Sequence, residues 1–325
     1  MSIFSTGLPL NKYTKVVPIF VTISNDYAPY AAAAIHSLIQ HTDKKRYYRI
    51  IILHDGLNLV NRWRLRSLVT NNCAIQFKKI TNSLYLRAVI KYVSKRKGMG
   101  DFFSKAVYFY RFFIPLLFPL YERAVYIDSD TILRGDIAKL FDMEMGDNTV
   151  MAMIDPKVTA IPEFRDYVDF AVGVPHEEYV NDGVMLMDLR KMRKCKYLST
   201  MVAMIQKYDA DLVAPDQDYL NVILKGSIGH FGSEWNAEPT EEFAKDVKLV
   251  HFNLFNKPWH YKNVPGEKIF WNAARGTGFY GDLKRQQESF DEFKQKAEQE
   301  KVAALIEKAG KLAKRGKVLI KRPER

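Results

Sequence analysis

Only two cysteines, Cys73 and Cys195, occur in the 325-residue chain. They make neither a disulfide framework nor a metal-ligand spacing, which excludes a stapled secreted scaffold and leaves a reducing cytosol as the simplest compartment. Long apolar runs are missing as well. The most apolar stretch, Phe112 to Leu120, is short and carries Pro115 and Pro119, so it does not cross a bilayer as a helix. Met1 to Lys15 has no apolar core of the signal-peptide kind. There are no internal repeats, and no low-complexity linker precedes the C-terminal end.

What the chain has in excess is positive charge, unevenly placed. Of a net +12, a share of +7 lies in residues 308–325, where eight basic residues meet one acid, Glu324. The body carries clustered acids instead. A nucleic-acid module would interleave basic and aromatic residues over its body, so no nucleic acid is expected as a partner. Hydrophobic content of 47% and charged content of 26% are those of a globular chain with room for one large core or two modest ones. Near the end, Lys294 to Arg315 reads as a helix. Val302, Leu305, Ile306, Ala309, Leu312 and Ala313 form one apolar strip, and Val318 to Ile320 follow between Lys317, Lys321 and Arg322. Such a strip suits an anionic membrane surface, and it also suits packing on the body with a solvated basic end. The expectation adopted is a body of residues 1–283 and an amphipathic basic helical tail of residues 284–325. The tail would lie on the inner face of the cytoplasmic membrane.

Along the body, Val16–Ile23, Tyr48–Leu53 and Ala74–Ile80 read as strands, with helical patterns at Ala31–Ile39 and Leu57–Val69 between them. Strand, helix, strand, helix, strand predicts an α/β fold with a mostly parallel sheet, whose ligands sit at the carboxyl ends of the strands. A further strand, Val125–Ile127, runs into Asp128-Ser129-Asp130. Side chains two apart on extended backbone point the same way, so the two carboxylates can converge on one hard cation. The same pair would also suit a polar turn or a helix cap. Gly135-Asp136 then reads as a turn into a capped helix. Later polar clusters flank other apolar runs: Asn181-Asp182-Gly183 opens the strand Val184–Asp188, Pro215 to Asp218 precede a helix from Tyr219 to Leu224, and His251 ends the strand Leu249–Phe252, with Lys257-Pro-Trp-His260 beyond.

Taken in order, these clusters resemble the retaining glycosyltransferases of family 8, the group of the bacterial lipopolysaccharide galactosyltransferases and glycogenin. The residues that carry the resemblance are Ile23-Ser-Asn-Asp-Tyr27, Tyr110-Arg111, Tyr126-Ile-Asp-Ser-Asp130, Asn181-Asp-Gly-Val184, Asp216-Gln-Asp218, and His251 with Lys257-Pro-Trp-His260. The resemblance implies a GT-A, Rossmann-like fold and a UDP-sugar donor. It implies a metal held by Asp128, Asp130 and His251. Two carboxylates and one imidazole suit Mn²⁺ better than Mg²⁺, although Mg²⁺ is possible. It implies that Ser24, Asn25, Asp26 and Tyr27 meet the nucleoside, with Ser129 beside them, and that Arg111 and Lys257 meet the donor's sugar or diphosphate. Asp155, Asn181, Asp182, Asp216 and Gln217 would surround the transferred sugar, since carboxylates and amides match sugar hydroxyls. The chain departs from the family at Ser24, often an acid, at Asp182, often a small residue, and at Leu254, often a glycine.

The activity implied is transfer of glucose or galactose, with retention, to a hydroxyl of a glycan or glycolipid in cell-surface polysaccharide synthesis. Gln217 stands where a nucleophile would sit and is a poor one. Front-face attack is therefore favoured, with Asp216 as the fallback nucleophile. Two other readings stand beside it: a glycogenin-like self-glucosylating protein, and a non-catalytic module that binds RNA or anionic lipid. Acceptor choice is expected from the loop Leu84 to Phe103 and the segment near the tail.

Overall fold

The computed structural model describes residues 16–81, 83–96 and 105–322. Seven strands form one sheet: β1 (Val16–Ile23), β2 (Tyr47–His54), β3 (Cys73–Lys79), β4 (Arg123–Ile127), β6 (Val150–Ile154), β7 (Val180–Asp188) and β8 (Ile228–His230). Two short strands, β5 (Thr131–Leu133) and β9 (Leu249–His251), pair antiparallel beside it. The order across the large sheet is β3-β2-β1-β4-β7-β6-β8. All its pairs are parallel except the two made by β7.

The strands of the first half are apolar almost without interruption because both of their faces are covered. Phe20, Ile51, Leu53 and Tyr126 point into one buried cluster, while their neighbours Ile19, Val21, Ile50, Ile52 and Val125 point into a second on the opposite face. The helix Ala28–Gln40 lies on the second face, and four successive alanines, Ala31 to Ala34, are fully buried there. Small side chains allow that close approach.

Chain order reverses between β1 and β4, and a ligand crevice is expected at such a point. The sheet brings four polar segments to one edge. Ser24 leaves the end of β1, Asp128 the end of β4, and Asp155 the end of β6. Because β7 runs the other way, its beginning lies at the same edge, with Val184 opposite Ile127 and Val180 opposite Ile154. Asn181, Asp182 and Gly183, expected to open the strand Val184–Asp188, are themselves strand residues, because the strand begins at Val180. Likewise Asp216 and Gln217 do not precede their helix; they form the first turn of Pro215–Ile223.

The tail differs most from expectation. The helix Glu292–Ala313 forms as read, but its strip meets protein. Leu305, Ala309, Leu312 and Ile320 are buried within the larger core cluster, alongside Phe164, Val168 and Ala171. Leu319 donates its N–H to the carbonyl of Ala171 at 2.7 Å. An apolar stripe this complete gains more from a protein groove than it leaves for a bilayer. Lys314, Arg315, Lys317 and Lys321 stay exposed. No helix among the described residues is long and apolar enough to cross a membrane.

Candidate active site

A cavity of about 360 Å³ opens at the polar edge of the sheet. At one end stand Asp128, Asp130 and His251, whose ligand atoms all lie within 4.8 Å of one another. His251 Nε2 is 3.1 Å from Asp130 Oδ1 and 3.9 Å from Asp128 Oδ2. Its other nitrogen, Nδ1, faces Asn236 Oδ1 at 3.0 Å, and the Asn236 amide is oriented by donating to Asn181 Oδ1 at 3.0 Å. That places the Nδ1 proton on the Asn236 side and leaves the Nε2 lone pair facing two carboxylates. Lone pairs so close call for a cation between them.

Gly183 makes this approach possible. A Cβ there would stand 2.3 Å from His251 Cε1 and 2.9 Å from Asp128 Oδ2. The charge balance points the same way. Four carboxyl groups, Asp128, Asp130, Asp182 and Asp216, meet only two cations, Arg111 and Lys257, so acids are in surplus there, although burial pushes Asp182 and Asp216 up. The donor set, the cleared space and the surplus fit a divalent ion with mixed oxygen and nitrogen ligands.

Arg111 is 2% exposed and serves as a hub. It lies 2.7 Å from Asp182 Oδ1, 3.1 Å from Asp128 Oδ1 and 3.6 Å from Asp216 Oδ2, and it donates to the carbonyls of Tyr108 and Asp182. The sequence suggests an arginine reaching for the donor. The structure places it in the cavity wall, where it also holds three acids in register. Tyr126 adds a further donor to Asp128 Oδ1 at 2.6 Å. Lys257 donates to Asp130 Oδ2 at 2.6 Å and to the Phe252 carbonyl. Burial would raise the Asp130 pKa, but Lys257 and His251 outweigh it and hold the carboxyl well below the usual range.

The other end is a closed polar network. Asp155 caps the helix Pro156–Ala160 through Oδ1, while its Oδ2 accepts from Gln217 Nε2 at 2.9 Å and Asn181 Nδ2 at 3.2 Å. Gln217 Oε1 accepts from the N–H of Asp182 and from Asn181 Nδ2, both at 3.3 Å. Burial pushes Asp182 and Asp216 up, against the pull of Arg111. Among the described residues Asp182 Oδ2 is buried without a partner. An orphaned acceptor costs free energy unless a ligand satisfies it.

At the nucleoside side, Ser24, Asp26, Tyr27 and Ser129 all line the cavity. Asn25 does not. Its side chain turns away to accept from the N–H of Asn58 and from Asn61 Nδ2, pinning the helix Leu59–Arg66. Leu254 also lines the cavity and has φ of +62°, the left-handed backbone that favours glycine. This chain keeps the conformation and carries the side chain, a strain of about 1 kcal/mol. Part of the loop expected to choose the acceptor, residues 97–103, lies outside the described residues. Several lining residues had no signal in the sequence: Tyr30, Lys105, Tyr108, Lys157, Glu298 and Leu305. Glu298 and Leu305 come from the C-terminal helix, so that helix forms part of the cavity wall.

General stress protein A of Bacillus subtilis is 26% identical over 268 residues, covering 76% of this chain and 88% of that protein. The lipopolysaccharide 1,2-glucosyltransferase of Escherichia coli is 27% identical over 210 residues, 59% of this chain, and the match spans 61% of that enzyme's length. Among solved structures, the galactosyltransferase LgtC in complex with donor and acceptor sugar analogs superposes with a TM-score of 0.66 at 22% identity, covering 81% of this chain and 96% of that one. The bifunctional glycosyltransferase WbbM gives 0.69 at 22% identity over 85% of this chain, and the match spans 52% of that protein. These likenesses show the GT-A fold, with its mostly parallel sheet. The family description Glycosyl transferase family 8 matches residues 18–263, a span that holds both ends of the cavity, and the chain is a glycosyltransferase belonging to that family.

Proposed function

We propose that the chain transfers a hexose, glucose or galactose, from a UDP-sugar to a hydroxyl of a glycan or glycolipid, with retention at the anomeric carbon. The observation that carries the reading is the placement of the Asp128, Asp130 and His251 triad beside the buried amide and carboxylate network in one cavity. One end has the chemistry to hold a metal diphosphate and the other to hold sugar hydroxyls. The likeness to the Escherichia coli lipopolysaccharide glucosyltransferase supports a surface glycan as product, and the likeness to the galactosyltransferase LgtC supports a hexose donor.

In this reading Asp128, Asp130 and His251 hold a divalent ion, Mn²⁺ in preference to Mg²⁺. The bound ion neutralises diphosphate charge as the leaving group departs. Tyr27 offers its ring to uracil, Asp26 and Ser24 its polar edge, and Ser129 the ribose. Asp155, Asn181, Asp182, Asp216 and Gln217 orient the hexose, and the free oxygen of Asp182 takes a sugar hydroxyl. Lys257 stabilises negative charge that grows on the diphosphate. The acceptor oxygen attacks the anomeric carbon from the face the diphosphate leaves. The bond to the departing phosphate breaks, and that phosphate takes the acceptor's proton. Gln217 serves as a polar wall beneath the sugar, its carbonyl oxygen already engaged, and Asp216 is the alternative nucleophile.

The reading is tested by incubating the protein with UDP-glucose or UDP-galactose and Mn²⁺ and measuring UDP release. Absence of release with either donor, with and without glycan acceptors, would refute it. Membrane contact is part of the same proposal, carried now by the exposed basic residues that follow the C-terminal helix and not by the apolar strip. Reversing Lys314, Lys317 and Lys321 to glutamate is expected to release the protein from anionic vesicles. Unchanged co-sedimentation at low salt would exclude that surface.

A further inference from the structure

We propose that Glu298 is a positioning residue: from the C-terminal helix it clamps the His260 and Tyr261 end of the Lys257 turn and so holds Lys257 against Asp130. The inference rests on the role of Lys257 given above. It goes beyond the family match, which ends at residue 263.

Lys257 has a flexible four-carbon stem and leaves a turn outside any helix or strand. Its direction depends on what fixes that turn. The Lys257 carbonyl accepts from the N–H of His260 and of Tyr261, each at 2.9 Å. Whatever holds residues 260 and 261 therefore holds the backbone of Lys257. Glu298 accepts from His260 Nδ1 at 3.0 Å. Its side chain is 16% exposed, and that of His260 is 20% exposed. The His260 ring also stacks on Phe290, 4.0 Å between centroids with planes 4° apart. From the preceding helix, Tyr280–Glu288, Gln287 Nε2 donates to the carbonyls of Pro258 at 2.7 Å and Tyr261 at 2.8 Å. The turn is thus gripped from outside by two helices. On its inner side Trp259 stacks on Tyr30 at 4.3 Å, and Lys257 Nζ lies 5.5 Å from the Trp259 ring.

Glu298 is the acid that the C-terminal helix contributes to the cavity wall. Burial would raise its pKa, yet His260 and Tyr261 bring it below the usual range. A carboxylate accepting from the His260 ring fixes that ring, and with it the residue whose N–H holds the Lys257 carbonyl. A neutral side chain without acceptors cannot, and glutamine supplies one acceptor oxygen in place of two.

The test is a double-mutant cycle on transfer or donor hydrolysis, with unfolding temperature measured alongside. Glu298→Ala is expected to lower kcat about tenfold while donor KM changes little, and Glu298→Gln to recover part of that loss. In a Lys257→Ala background, Glu298→Ala should lower kcat no further, because the group it positions is gone. Equal losses in both backgrounds, or a fall in unfolding temperature with kcat unchanged, would make Glu298 merely structural and overturn the inference. Crystal structures of the wild type and Glu298→Ala supply a readout that does not depend on what Lys257 does. Lys257 Nζ should leave hydrogen-bond reach of Asp130 in the variant, and an unmoved Lys257 overturns the proposal. If Lys257→Ala itself left kcat unchanged, the role assigned to Lys257 would fall, and the crystallographic comparison would still decide its positioning.

Discussion

Asp128 and Asp130 keep 25% and 15% of their side chains open to solvent, while at the far end of the same cavity Asp155, Asn181, Asp182, Asp216 and Gln217 are each at least nine-tenths buried. The first group has valences to give. The second is already joined by its own hydrogen bonds or through Arg111. In the proposed reaction a diphosphate arrives and leaves on every turnover, so the groups that meet it must be reachable. Discrimination among sugar hydroxyls needs donors and acceptors fixed beforehand in a dry setting. The two ends are joined by the path from His251 to Asn236 to Asn181 and by Arg111, which meets Asp128 on one side and Asp182 and Asp216 on the other.

The hardest blow to the open end is removal of one charge. Asp128→Asn or Asp130→Asn is expected to lower transfer by at least about a thousandfold, because each removes an anionic ligand from a site that neutralises a leaving diphosphate. The fold should remain, since the amide oxygen introduced by Asp128→Asn can still accept from the Tyr126 hydroxyl. UDP release and Mn²⁺-dependent UDP affinity are the measurements. Near-normal turnover of either variant at saturating Mn²⁺ would remove the metal from this end.

Gly183→Ala strikes the same end from the strand behind it. A methyl group 2.3 Å from His251 Cε1 must displace the ring or the Asp128 carboxylate. The expected result is a loss of metal affinity of about a hundredfold, with a smaller disturbance of Asn181, whose Oδ1 the methyl would approach to 3.0 Å. Titration of Mn²⁺ against UDP binding reads it, and an unchanged midpoint would show that the triad need not be so compact. Asn236→Ala should act more gently, about tenfold on metal affinity, by freeing the His251 tautomer. It also unties Asn181, so donor KM should rise with the metal requirement. A rise in one without the other would show that the two ends are independent.

Legibility from sequence followed the range of the cause. The parallel half was readable because burial on both faces prints itself on neighbouring residues, and Val16–Ile23 is found at those limits. Asp128 and Asp130 were readable because a strand's two-residue period is local. Asn181, Asp182 and Gly183 stand out by composition as a polar cluster opening the strand Val184–Asp188, and only the pairing of β7 with β4 and β6 shows that the strand itself includes them. No neighbour of Asn236 or Glu298 hints at what each touches, since both act across long stretches of chain. The tail's strip was plain in its helical period. What covers it, the 162–172 segment, could not be read from the strip itself.

The smallest expected effect concerns the closed end and appears in stability before activity. Asp218 is fully buried one residue beyond Gln217, accepting from the hydroxyls of Tyr167 and Tyr179, both at 2.7 Å. Burial pushes its pKa up to about 7 from 3.8, with Asp216 adding a like charge and hydrogen bonds from Tyr167, Tyr179 and the Ala214 N–H opposing the rise. Lys308, on the C-terminal helix, is the nearby opposite charge. A raised acid binds its proton more tightly in the folded state than in the unfolded one. Stability therefore falls as pH rises from about 4 to about 7, and the penalty is complete above that; three units correspond to roughly 4 kcal/mol at most. Asparagine cannot ionise. Between pH 5 and pH 8 the unfolding temperature of the wild type should fall relative to Asp218→Asn by several degrees. Donor KM should change only slightly, because Asp218 does not line the cavity. A pH-independent difference between the two proteins would mean that Asp218 stays charged throughout. The closed end would then hold its rigidity at no cost in stability near neutral pH, and the contrast with the open end would rest on exposure alone.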